Sequence, residues 1–290
     1  MFTIDTHKSI ITLTDTVIHF DNILNAINVS IDDVVYIGGS LVEGAINPFS
    51  KGMGTPKSDI DVFIIRNPHD FKPLSEDEFA DSTSRIYSIY LHDQDLDVTE
   101  YNKSAVYALA DALNKLEIDA FSKKRMPIQE RLNIGNGYTS VVSFLNRLNS
   151  SLCIYNHEIY NEVKALIDYG KFMLFEKDRL YKKHKDLESD VLGHLMVAQA
   201  EMALYSFRKL VQNLMHLAIL NEKMLVDRGR WILLKFNNIV ELTGRYLELH
   251  QIYTTTFRED LTDDALCIET IKNSMTIAEQ ELSKLHLQTE

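Results

Sequence analysis

The chain has 290 residues, 45% of them hydrophobic and 25% charged, with five prolines and a formal net charge of −12. That apolar content excludes an extended disordered chain, and the length is enough for two cores of ordinary domain size. The negative balance argues against gripping long RNA or DNA, which needs lysine and arginine on the phosphates, and no apolar run approaches the about 18 residues that span a bilayer.

Asp15 to Ile27 is read as a first helix, followed by a short apolar strand, Val34-Val35-Tyr36-Ile37, that runs into Gly38-Gly39-Ser40. Two glycines and a serine at a strand end suit a backbone that must come close to a phosphate, with Ser40 adding a hydroxyl donor. After a polar loop, Ser58-Asp59-Ile60-Asp61-Val62-Phe63-Ile64-Ile65 reads as a second strand. Its period of two turns Asp59 and Asp61 to one face while Ile60 and Val62 enter the core. Carboxylates held close together repel. A hard cation relieves that repulsion, and magnesium is the natural one because it takes one or two carboxylates plus substrate phosphates. Arg85 to His92 and Asp95 to Tyr101, rich in Ile, Tyr, Leu and Val and separated by Asp93-Gln94, predict a β-hairpin. Asp97 lies on the face opposite Leu96 and Val98; Asp95 shares that face and ranks behind it for want of an apolar residue before it. A helix over Lys103 to Leu116, capped by Asn102, follows.

Hydrophobic-Gly-Gly-Ser, a loop, a hydrophobic-flanked Asp-x-Asp and then Leu96-Asp97-Val98 together resemble the polymerase-β-like nucleotidyltransferase superfamily. The match covers the first hundred residues. The family's Gly-Ser-x-Ala-x-Gly appears as Gly39-Ser40-Leu41-Val42-Glu43-Gly44, with Glu43 where many members carry arginine, which argues against an arginine-based phosphate contact there. The interval Leu41 to Ser58 is longer than the family's, and its insertion, Ala45 to Lys57, resembles a mobile flap over substrate. The resemblance implies Asp59, Asp61 and Asp97 as metal-binding and catalytic acids for two magnesium ions, with Asp97 able to take the proton of an attacking hydroxyl. It also implies Gly39 and Ser40 on the nucleotide phosphates.

Residues 121–137 are polar and contain Pro127 and two glycines, so the domain boundary is placed there, with a catalytic domain over 1–125 and an all-α bundle over 138–290. The expected fold class is therefore α+β, a mixed sheet with flanking helices followed by a helical bundle. Helices are predicted near Ser140–Leu148, Glu158–Tyr181, Leu187–Leu220, Arg230–His250 and Asp263–Leu285. In the third, Leu187, Val191, Leu195, Met202, Phe207, Leu210, Leu214 and Leu217 recur at helical spacing and form a core stripe. In the last, Ile268, Ile271, Met275, Ala278, Leu282 and Leu285 form a seam that packs within the bundle or, in a homodimer, against a second subunit. Trp231, the single tryptophan, shares a helix face with Lys235. Lys235, and Lys209 on the long helix, are candidates for the lysine with which a second domain of this superfamily commonly meets the triphosphate. Arg208-Lys209 and His216 are out of register with the ribonuclease motif of the helical toxins encoded beside minor nucleotidyltransferases, and a fused ribonuclease is rejected.

Two cysteines, Cys153 and Cys267, are too few for a disulfide framework, and ten scattered histidines form no zinc pattern. The start Met1-Phe2-Thr3-Ile4-Asp5 lacks the basic and apolar segments of a signal peptide, so a cytoplasmic location is expected. The resemblance implies transfer of a nucleoside monophosphate, most simply AMP from ATP, to a hydroxyl of a small-molecule acceptor. The order of parts matches antibiotic nucleotidyltransferases of the kanamycin and streptomycin type, and an acidic protein suits a cationic acceptor of the aminoglycoside kind. The alternatives are synthesis of a nucleotide second messenger, antitoxin-like modification of protein or tRNA, and a non-catalytic nucleotide-binding scaffold.

Overall fold

A computed structural model describes residues 2–13, 16–55, 57–67, 79–80, 83–91, 94–116 and 138–287. The protein is α+β, and its chain divides into two compact units, Met1–Lys171 and Phe172–Glu290.

The first unit opens on a small antiparallel meander, β1 (Phe2–Asp5), β2 (Ile10–Leu13) and β3 (Thr16–His19), before α1 (Phe20–Ile27). The helix expected from Asp15 thus begins five residues later. Thr16, Val17 and Ile18 are β-branched, and Ile18 pairs opposite Ile11 with both side chains fully buried, so pairing and burial outweigh the helical spacing. Asn28, left-handed at φ 52°, ends α1.

The main sheet is built from β4 (Val34–Gly38), β5 (Ile60–Arg66), β6 (Phe79–Ala80), β7 (Ser84–Leu91), β8 (Gln94–Asn102) and β9 (Leu152–Tyr155), in the order β6-β7-β8-β5-β4-β9. Only β5 and β8 run parallel; every other pair is antiparallel. The β7–β8 hairpin forms as expected, and Asn102 caps α3 (Lys103–Asn114) by accepting from the Ser104 amide at 2.9 Å.

Both faces of this sheet are covered, and they differ in kind. Ile60, Val62, Ile64, Leu96, Val98, Val35 and Ile37 form an aliphatic core with the meander, α1 and α2 (Gly39–Ile46). The other face is aromatic. Tyr36 stacks on Phe63 at 5.1 Å between centroids, Phe63 on Tyr101 at 6.3 Å, and Tyr101 meets Phe144 of α4 (Tyr138–Asn149) edge-on at 4.8 Å.

The helical half was expected to begin at residue 138, after a boundary at 121–137 that lies outside the described residues. Instead α4, β9 and α5 (His157–Leu166) belong to the first unit, and the division falls between Lys171 and Phe172. The reason is β9: Leu152, Cys153 and Tyr155 pair with β4 and complete the sheet edge, which ties the preceding and following helices to it. Four residues of strand between two helical patterns give no periodicity to read.

In the second unit the helices are α6 (Tyr169–Met196, its first turn within the first unit), α7 (Ala200–Asn221), α8 (Arg230–Thr243), α9 (Leu247–Arg258) and α10 (Asp264–Leu287). Three expected helices are interrupted. Ile167 and Asp168 separate α5 from α6, and Asp168 accepts from the Lys171 amide in the manner of a cap. The predicted Leu187–Leu220 helix turns at Ala198, which is left-handed at φ 55° with no glycine or proline to mark it. Its stripe belongs to two helices: Val191, Phe207, Leu210, Leu214 and Leu217 are buried, while Met202 is 46% exposed. Gly244, left-handed at φ 67°, ends α8 and divides the predicted Arg230–His250 helix. The seam of α10 is buried within the unit at Ile271, Met275, Ala278, Leu282 and Leu285. Both cysteines are buried free thiols, and among the described residues no helix is long and apolar enough to cross a membrane.

Candidate active site

The site is assembled where β4 ends and β5 begins. Gly38 pairs opposite Asp61 in the antiparallel β4–β5 ladder, and Asp61 pairs opposite Asp97 in the parallel β5–β8 ladder. Side chains in register on neighbouring parallel strands share a face at about 4.8 Å strand spacing, so Asp61 and Asp97 stand side by side. Both are partly exposed, and Asp97 Oδ1 accepts from Ser88 Oγ at 3.0 Å. Asp59 is exposed and precedes β5. Pairing between β5 and β8 starts at Ile60 and Leu96, so Asp59 and Asp95 both stand one residue before the ladder.

Gly39 is required by conformation as well as by contact, whereas Gly38, with an extended backbone, is confined by contact alone. Gly39 has φ +77°, and a Cβ there would overlap Asp61 Oδ2 and stand 2.6 Å from Asp61 Cγ. At Gly38 a Cβ would come within 3.1 Å of the Phe63 ring and 3.4 Å of the Arg147 carbonyl. Backbone, carboxylate and the start of α2 therefore converge, with half-buried Ser40 one residue on.

Glu43 is 2% exposed and accepts from Ser50 Oγ at 2.8 Å and from Asn146 Nδ2 at 3.4 Å, tying α2 to the following loop and to α4. The departure from arginine at this position is thus structural, a buried acceptor that organises three segments. The same contacts bear on the expected flap. Pro48–Ser50 forms a 3-10 turn, Met53 is buried, and a Cβ on Gly44 would lie 2.5 Å from the Met53 carbonyl, so residues 45–54 are packed back on α2.

One charged residue at this edge was not foreseen. Arg147 of α4 places Nη2 3.8 Å from Asp61 Oδ1, and its guanidinium lies 5.2 Å from the centre of the Phe63 ring. The Tyr101 phenol registers both charges: burial pushes it up to about 12, Arg147 opposes the shift and Asp61 adds to it. Arg147 is the only basic residue of α4, which is a signal, but it becomes meaningful only once β9 has folded that helix onto the sheet.

The two lysines lie in the second unit. Lys235 is 1% exposed and its ammonium donates to the Leu225 carbonyl at 2.9 Å, inside the helical core. That contact explains why a lysine occupies the buried face of α8, and it withdraws Lys235 from the proposed phosphate ligands. Lys209 is exposed, with its ammonium 4.1 Å from the centre of the Tyr205 ring.

Among the described residues no group of three or more His, Cys, Asp or Glu side chains is arranged to hold a metal ion by itself. Two carboxylates in register at a strand edge still fit magnesium, whose remaining ligands are ordinarily water and substrate phosphate.

The chain matches no family model and no curated protein. Among solved structures it is similar to a nucleotidyltransferase-like protein from Exiguobacterium sibiricum 255-15, with a TM-score of 0.43 and 8% identity over 88% of this chain and 72% of that one. Likeness at that level leaves the reading of the site to the residues themselves.

Proposed function

We propose that the first unit transfers a nucleoside monophosphate from a triphosphate, most simply AMP from ATP, to a hydroxyl on a small cationic acceptor of the aminoglycoside kind. The observation that carries this reading is the in-register pair Asp61 and Asp97 with the Gly38–Gly39 backbone packed directly against Asp61.

Asp61 and Asp97, with Asp59 beside them, are the residues that would hold magnesium. When bound, the ion would neutralise charge on the polyphosphate and lower the pKa of an acceptor hydroxyl. The Gly39–Ser40 backbone orients the polyphosphate. Asp97 accepts the proton of the acceptor hydroxyl as its oxygen bonds to the α-phosphorus, and the bond from that phosphorus to pyrophosphate breaks. The net charge of −12 favours a cationic acceptor over long nucleic acid. A non-catalytic nucleotide-binding role is the second reading, supported by Arg147, which already sets a positive charge beside Asp61.

The test is pyrophosphate release with each of the four triphosphates and magnesium, with and without a panel of aminoglycosides, for wild type and Asp61→Asn. Release that needs an acceptor and falls by several orders of magnitude in the variant is expected. Acceptor-free release indicates second-messenger synthesis or self-modification, and triphosphate binding without release indicates the non-catalytic role. Wild-type protein that neither binds triphosphate nor releases pyrophosphate refutes the reading.

A further inference from the structure

The helix after β4, α2, carries an acid, Glu43, that is buried and engaged by Ser50 and Asn146, so it brings no positive charge to the site. A positive charge reaches the same strand edge from a different element. Arg147 is held there by its surroundings: Leu145 and Leu148 on either side are fully buried, Phe144 packs on Tyr101, and neighbouring Asn146 is bonded to Glu43. Its side chain is 14% exposed, that of Asp61 20%, so the pair is partly shielded from solvent yet open at its edge.

We propose that Arg147 binds the polyphosphate of the nucleoside triphosphate, taking the part that a basic residue in the Gly39–Gly44 segment would otherwise play; this rests on the nucleotidyl-transfer reading. Three physical arguments support it. Guanidinium presents a planar fork of donors that matches phosphate oxygens, and here it lies over the Phe63 ring at 5.2 Å from its centre. Its Nη2 lies 3.8 Å from Asp61 Oδ1, so the positive charge stands at the strand edge where Asp61 and Asp97 are in register. A cation taken up by Asp61 would also set two positive charges around one carboxylate, and an anion lodged between them turns that repulsion into two attractions. A polyphosphate entering over Gly39 is such an anion.

The test is calorimetric titration of wild type, Arg147→Gln and Arg147→Lys with ATP, GTP, CTP and UTP in magnesium, and with inorganic tripolyphosphate, which lacks base and sugar. Loss of a charge-assisted contact predicts about tenfold or more weaker binding in Arg147→Gln, for the preferred nucleotide and tripolyphosphate alike. Arg147→Lys falls between it and wild type, because a point charge replaces a fork. Circular dichroism establishes folding. If Arg147→Gln does not fold, Arg147→Lys decides, and its unchanged affinity overturns the proposal. Folded variants that bind within twofold of a wild type that does bind overturn the role of Arg147 alone. A wild type that binds neither triphosphate nor tripolyphosphate overturns the nucleotidyl-transfer reading and this inference with it.

Discussion

Replacing Gly39 by alanine tests whether the glycine pair exists for the carboxylate. At φ +77° an L side chain costs about 1–2 kcal/mol. Burying a methyl group does not offset this, because the new Cβ would collide with Asp61 Oδ2 and stand 2.6 Å from Cγ and 3.0 Å from Cβ of the same residue. The carboxylate can swing away about χ1, at about 0.5–1.5 kcal/mol if it leaves its rotamer well, but its Cβ cannot. The expected sum is a loss of about 1.5–3.5 kcal/mol in urea denaturation, together with loss of triphosphate binding out of proportion to the stability change. Alanine at the exposed Gly193, where a Cβ meets nothing within 4 Å, is the control. A Gly39→Ala protein as stable as wild type and binding triphosphate equally well would refute the contact argument.

Two further predictions concern stability. Arg66 is 3% exposed and donates to Asp33 Oδ2 at 2.7 Å and Glu100 Oε1 at 2.8 Å; Arg66→Met leaves two buried carboxylates with Arg85, at 3.5 Å from Glu100, as the remaining ion-pair partner found among the described residues, and should cost about 3–5 kcal/mol in urea denaturation. A loss below 1 kcal/mol would contradict that. His184 is 1% exposed, and burial lowers its pKa from 6.5 to about 4. The unfolded chain therefore takes up a proton below about pH 6.5 that the folded chain refuses, so the stability present above that pH is lost as pH falls, by about 2 kcal/mol at pH 5. Denaturation midpoints at pH 7 and pH 5, compared with His184→Asn, measure this share, and a variant with the same pH dependence as wild type would disprove it.

The amino-acid sequence determined the parts of the site that lie close together along the chain. Alternation in Asp59 to Ile65 places Asp61 on the face opposite Ile60 and Val62, and the hydrophobic triplet around Asp97 gives that strand its face, because side-chain direction in a strand depends only on parity. The hairpin and the Asn102 cap are equally local. What needed the tertiary structure depends on pairing between distant segments. Four residues of β9 carry α4 onto the sheet and bring Arg147 to Asp61, and neither strand nor helix announces its partner. Lys235 reads as a candidate phosphate ligand until α8 turns its ammonium inward to the Leu225 carbonyl. Glu43 reads as a missing arginine until Ser50 and Asn146 close on it. Local periodicity fixes which face a residue occupies; which neighbour meets that face is decided by long-range packing, whose free energy appears only when the whole sheet has formed.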